Sequence, residues 1–134
     1  MSIQISQHTQ DFSSAPQISV DDVAEIAQLG FKTIINNRPD GEAGALQPSS
    51  AQIETAAQKL GLAYVYLPVV PNQIETEQIN AFDAAYTAAT KPVLGFCGTG
   101  YRAGVIFKRA QAVTENKAAN AASKGIMGWI RNKL

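Results

Sequence analysis

Four residues separate the chain's one cysteine, Cys97, from an arginine, Arg102, and in that gap Gly98 and Gly100 alternate with Thr99 and Tyr101. These residue types at this spacing suit anion chemistry. Successive backbone N–H groups in a tight glycine-rich turn face one concavity, and such a nest holds anions. A helix that starts at the end of the turn adds unpaired N–H groups and the positive end of its dipole. Arginine adds a fixed charge with a forked donor geometry. A thiol in this setting is expected to ionise readily, and the thiolate is the nucleophile. Cys97 and Arg102 are therefore the candidate catalytic residues, with Gly98, Thr99, Gly100 and Tyr101 as the anion-binding loop. The alternative is a buried cysteine that merely ends a strand.

Such a loop needs a strand to deliver it and a helix to receive it. Pro92 opens the delivering segment and residues 93–96 read as a short buried strand. Residues 103–113 read as the receiving helix. Further back, Ile3, Ile5 and Phe12 suggest short edge strands. Ser19 and Asp22 form a capping box for a helix with Val20, Val23, Ile26 and Ala27 inward, ended by Gly30. Residues 31–36 form a β-rich run. A second helix follows Ser49 or Ser50, with Ile53, Ala56, Ala57 and Leu60 inward and Gly61 as its stop. Residues 62–67 are the next strand, on which Tyr64 and Tyr66 read as packing residues. Pro68 and Pro71 bracket its exit. A third helix over residues 75–89 buries Ile79, Phe82 and Tyr86.

This alternation predicts an α/β single domain with a mostly parallel central sheet flanked by helices. Residues 1–134 form that domain, with a core over about 3–113 and a helical tail over about 114–134. In the tail Gly125 and Gly128 interrupt an alanine-rich helix, and Trp129 and Ile130 dock it. Ligands of such sheets bind beyond the carboxyl ends of the strands. The loops at residues 37–48, 68–73 and 97–102 all follow strands, so they should wall one pocket.

Composition narrows the function. The 134 residues carry eleven basic and eleven acidic side chains. No basic patch stands out, so nucleic acid is not an expected partner. No apolar run approaches the length of a membrane span. The first residues lack the charged and apolar segments of a signal peptide. One free cysteine fits a reducing cytoplasm, and one histidine far from it in sequence argues against a zinc site. Neither a metal nor an organic cofactor is called for. Residues 98–103 also fit the pattern G-x-G-x-x-A of dinucleotide sites, but no strand follows to complete such a unit. His8 reads as a solvated residue near the terminus. Arg38, Asp40 and Glu42 read equally as a solvated loop with Arg38 paired to a carboxylate, or as support for the site.

Cys-x-x-Gly-x-Arg after a buried strand resembles the active loops of rhodanese sulfurtransferases and of cysteine-dependent phosphatases. Further stretches narrow the resemblance: Gln17-Ile18-Ser19, Gly30-Phe31-Lys32-Thr33-Ile34-Ile35, Asn37-Arg38-Pro39-Asp40-Gly41-Glu42, Gly61-Leu62-Ala63-Tyr64 and Leu67-Pro68-Val69. Together they resemble the phosphatase-like domain of the bacterial beta-lactamase hydrolase-like proteins, from about Ile3 to about Ala110. The resemblance implies a dual-specificity protein phosphatase-like fold, and a loop bearing Arg38, Asp40 and Glu42 at the border of the site. Some members are fused to a metal-dependent persulfide dioxygenase, which implies sulfide metabolism and makes such an enzyme a candidate partner.

Two chemistries share the cysteine. A phosphatase passes through a cysteinyl-phosphate; a sulfurtransferase carries a persulfide on Cys97. The spacing here is one residue shorter than in the phosphatase signature it resembles and equals that of rhodaneses. Phe96 stands where phosphatases usually have histidine. No aspartate occurs in residues 68–73 to act as general acid, and nothing requires Asp40 to substitute. Gly98, by contrast, stands where many rhodaneses have arginine, which leaves the loop less positive. The balance favours sulfur transfer from a small anionic or sulfane-sulfur substrate, with phosphomonoester hydrolysis as the alternative. A catalytically inactive module that binds an anion or a protein is the third reading.

Overall fold

A five-stranded sheet in the order β1-β2-β5-β3-β4 forms the middle layer of the computed structural model, which describes residues 3–133 and the side-chain surroundings of residues 3–122. The strands are β1 (Ser6–Gln7), β2 (Phe12–Ala15), β3 (Thr33–Asn36), β4 (Ala63–Tyr66) and β5 (Val93–Phe96). Only the β1–β2 pair is antiparallel. Phe12 aligns with Val93, Thr33 with Val93, and Thr33 with Ala63, all in parallel ladders. The helices are α1 (Asp22–Gln28), α2 (Ser50–Lys59), α3 (Thr76–Ala88) and α4 (Tyr101–Lys133), with a 3-10 turn at Gly44–Leu46.

The sheet separates two apolar clusters. Alternate residues of a strand point to opposite faces, so Ile34, Leu94 and Phe96 meet Val23 and Ile26 of α1 and Ile53 and Ala57 of α2. Ile35 and Val93 face the other way, onto Phe82 of α3 and Ile106, Phe107 and Ala110 of α4. Every residue of β3 and β5 is buried. Strands covered on both faces carry continuous apolar runs, which is why these two were legible as strands.

Helix ends follow local chemistry. The Ser49 hydroxyl accepts from Gln52 N and the Gln52 side chain accepts from Ser49 N, a full capping box for α2. Ser19 and Asp22 form the expected reciprocal pair, at 2.8 and 3.1 Å, although α1 proper begins only at Asp22. Val20 therefore sits before the helix and is 43% exposed rather than inward, and Leu60, past the end of α2, is 48% exposed. Lys91 Nζ donates to the carbonyls of Tyr86, Thr87 and Ala89 and so closes the C-terminal end of α3.

Two expectations are corrected. Phe12 belongs to no edge strand: β2 lies between β1 and β5, and the Phe12 ring is fully buried, stacked on Phe107 at 4.1 Å between centroids. Gly125 and Gly128 do not interrupt the last helix, because α4 is continuous through Lys133. The docking expected of Trp129 and Ile130 lies outside the described side chains.

Candidate active site

All four parallel strands point their carboxyl ends the same way, so the segments after β2, β3, β4 and β5 gather around Cys97. The Cys97 N–H donates to Ala15 O, Asn37 N–H to Phe96 O, Val69 N–H to Asn37 O, and Gln17 N–H to Gly98 O. The anticipated convergence of the loops at residues 37–48, 68–73 and 97–102 is thus built from backbone bonds. Cys97 is fully buried at its centre.

The loop curls around the sulfur. Gly100 N–H donates to Cys97 Sγ at 3.1 Å. Gly100 holds φ +92°, and a Cβ there would stand 3.2 Å from the carbonyl carbon of Ala15, so both conformation and space require glycine. Gly95, one turn of the pleat earlier, is required by packing alone: a Cβ would meet Phe12 Cζ at 2.8 Å.

Arg102 lies in the first turn of α4 and turns back over the loop. Its Nη1 donates to Val69 O at 2.8 Å and to Glu42 Oε2 at 2.8 Å, and its Nη2 donates to Glu42 Oε1 at 2.6 Å. This is the bidentate fork that only arginine offers. Glu42 chiefly, and Cys97 to a lesser degree, raise the hold of Arg102 on its proton. In return the bonds from Arg102 and Arg38 hold the Glu42 carboxyl below its ordinary range.

Arg38 is brought to the same place. Its Nε donates to Glu42 Oε1 at 2.9 Å and its Nη1 to Gln17 Oε1 at 3.0 Å. A Cβ added at Gly98 would stand 3.1 Å from Arg102 Nη2 and 3.4 Å from Arg38 Nε. Gly98 is the loop position whose missing arginine seemed to cost the loop positive charge. The Arg38 guanidinium, from the loop after β3, stands near that position while paired with Glu42. Arg38 is therefore paired with a carboxylate, as one reading had it, but is largely covered rather than solvated.

The loop after β3 is held by side chains that the sequence did not disclose. Asn36 Oδ1 accepts from Arg38 N at 2.8 Å, while Asn36 Nδ2 donates to the Tyr64 hydroxyl at 2.9 Å. That hydroxyl also bonds Ser50 Oγ at 2.7 Å. The Tyr66 hydroxyl accepts from Asp40 N, and Asp40 Oδ1 accepts from Ser50 N at 2.7 Å. Tyr64 and Tyr66 are therefore not simple packing residues; their hydroxyls tie the loop to the sheet. Asp40 is engaged with the N-terminus of α2, which makes it an anchor of the loop. His8, expected to be solvated, bonds Ser14 Oγ through Nε2 at 2.8 Å and lies against Phe12 and Phe107. Its signal was the small residue Gly104, since a Cβ there would meet the ring at 3.1 Å.

A cleft of about 550 Å³ opens beside the loop, between residues 71–75 and the Thr99, Tyr101, Arg102, Val105 and Arg109 side of α4. The loop at residues 37–48 does not line this cleft. It secures Arg102 from behind.

Residues 4–114 match the family described as beta-lactamase hydrolase-like protein, phosphatase-like domain. The chain belongs to that family. The beta-lactamase hydrolase-like protein of Xylella fastidiosa is 34% identical over 97 residues, which are 72% of this chain and 22% of that protein. This phosphatase-like domain thus spans less than a quarter of the curated relatives it matches. Among solved structures, a candidate phosphatase from Neisseria meningitidis Z2491 is 35% identical, with a TM-score of 0.69 over 74% of this chain and 70% of that one. A candidate phosphatase from Shewanella putrefaciens CN-32 shares the fold at 24% identity, with a TM-score of 0.71 over 84% and 69%. The fold is that of the protein tyrosine and dual-specificity phosphatases, as expected. The preference for sulfur transfer gains no support from these relatives, which stand on the phosphatase side. Among the described residues no helix is long and apolar enough to cross a membrane.

Proposed function

We propose that this phosphatase-like domain is a cysteine-dependent phosphohydrolase that acts on phosphomonoesters. The observation that carries the reading is the convergence of two guanidinium groups, Arg38 and Arg102, over Gly98, beside a sulfur that already receives the Gly100 N–H. A phosphoryl group carries two negative charges at neutral pH and accepts hydrogen bonds on three oxygens. Donors fixed by the fold before substrate arrives stabilise the charge that builds on those oxygens without reorganising.

In the first step the Cys97 thiolate attacks phosphorus. An S–P bond forms, the P–O bond to the leaving group breaks, and that oxygen takes a proton from solvent. In the second step water attacks phosphorus, the S–P bond breaks, inorganic phosphate leaves and the thiolate returns. No aspartate or glutamate stands in residues 68–73, so the first step is expected to favour aryl esters, whose leaving oxygens need least protonation.

One observation favours sulfur transfer as a second reading: only four residues separate Cys97 from Arg102. The two are separated by supplying one preparation with 4-nitrophenyl phosphate and, in parallel, with thiosulfate or glutathione persulfide. Phosphate release lost in Cys97→Ser supports the first reading. A single added sulfur on Cys97, removed by thiols and formed without any phosphatase turnover, overturns it. A persulfide dioxygenase partner belongs to the sulfur reading alone.

A further inference from the structure

The cleft beside the loop carries a second arginine, and it extends away from the sulfur along α4. Arg102 and Arg109 both line it. They stand seven positions apart on the helix, which is two turns and a rise of about 10 Å. Tyr101 and Val105 share their side of the cleft, and Ile74 stands on the other. Tyr101 is 74% exposed, an unusual state for an aromatic residue at the edge of a cleft. Among the described residues no ion pair engages Arg109. The cleft's one carboxylate, Glu75, belongs to the capping box of α3, where Glu75 N donates to Gln78 Oε1 at 2.8 Å. Arg109 is thus exposed and makes no ion pair with a described residue, in the same groove as the end of the anion loop.

We propose that this cleft seats the body of the substrate and that Arg109 clamps a second anionic group. The substrate class is then phosphomonoesters with another phosphate or carboxylate about 10 Å from the reacting phosphorus. The span between would be apolar or aromatic, matching Tyr101, Val105 and Ile74. A simple monoester fills only the loop end. The inference rests on the phosphohydrolase reading for the chemistry, but it concerns binding and can be tested without turnover.

The probes are hexane-1,6-diyl bisphosphate and hexyl phosphate, which share one body and differ in the second anion. Binding is measured by calorimetry to the Cys97→Ser protein, which cannot turn them over. The bisphosphate is expected to bind about tenfold tighter, the scale of one charge-assisted fork. In Cys97→Ser/Arg109→Gln that ratio should fall to about twofold, the statistical advantage of two equivalent ends. Equal affinities with Arg109 present, or a preference that stays near tenfold in Arg109→Gln, would overturn the inference. Turnover of 4-nitrophenyl phosphate by the native protein tests the parent reading separately. Its absence would sink the phosphohydrolase and leave an Arg109-dependent preference standing as evidence for a bis-anion site. If neither phosphate bound, both readings would fall.

Discussion

Glu42 holds two arginines at once, and the arrangement makes it a positioning residue. It keeps the Arg102 fork turned back over the loop in the absence of any substrate, so that the guanidinium need not be ordered when the anion enters. Glu42→Gln retains two polar atoms but loses the charge. The expected result is a fall in kcat/KM for 4-nitrophenyl phosphate of roughly ten- to a hundredfold, the loss of one or two charge-assisted bonds. Arg102→Lys keeps the charge and loses the fork, and should cost about a hundredfold or more. An unchanged rate in Arg102→Lys would mean that the residue serves only to pin α4 to Val69 O. The contact between Glu42 and Arg102 joins residues sixty positions apart, and no local pattern announces a pair so distant. What the sequence did disclose was each residue's own chemistry: a thiol, a fork and glycines at a turn.

At the scale of elements the decisive join is between β2 and β5. Gly95 lets the edge of the Phe12 ring come close to the strand that carries Cys97. Phe12 is locked from its other sides by Phe82, Tyr86 and Phe107, so it has nowhere to move when a methyl group is added. Gly95→Ala should therefore destabilise the fold by about 1–3 kcal/mol, read as a lower urea midpoint with an unchanged slope. If the midpoint does not move, the aromatic cluster is looser than its geometry states. Most elements were legible because their signals are local. The Ser19–Asp22 pair, the serine before α2, the glycines that end α1 and α2, and the buried runs of β3 and β5 each sit within a few residues. β2 was misread because Phe12-Ser13-Ser14-Ala15 carries a single large apolar residue. Its burial comes from partners contributed by α3, β5 and α4, which no window of sequence contains. The hydroxyls of Tyr64 and Tyr66 were missed for the same reason, since alternation along a strand reports which face a ring takes and says nothing of where its oxygen ends.

For the whole molecule, charge state sets an acid limit. His8 has its pKa lowered from 6.5, first by burial and then by Lys108. The unfolded chain therefore takes up this proton before the folded one does. The associated stability is complete above about pH 6.5 and is lost as pH falls below it. Glu42 acts in the same direction at lower pH: its folded pKa is depressed from 4.5, so its contribution is complete above about pH 4.5 and disappears as pH drops through the folded value. The urea midpoint should thus decline in two stages on acidification. His8→Gln, which retains a polar partner for Ser14, should remove the upper stage and leave the lower one. A wild-type midpoint that is flat between about pH 7 and 5.5 would refute the first assignment. The ladder between β2 and β5 has one more consequence, for the order of events during synthesis. β2 leaves a ribosome before β3, β4 and β5, yet its parallel partner is the last of these five strands to be made. The β1–β2 and β3–β4 pairs cannot be joined into one sheet until Val93–Phe96 has emerged between them, and the anion loop follows at once. From Phe12 to Val93 the nascent chain therefore grows with Phe12 lacking its parallel neighbour, and the two halves of the sheet join in the same step that creates the site.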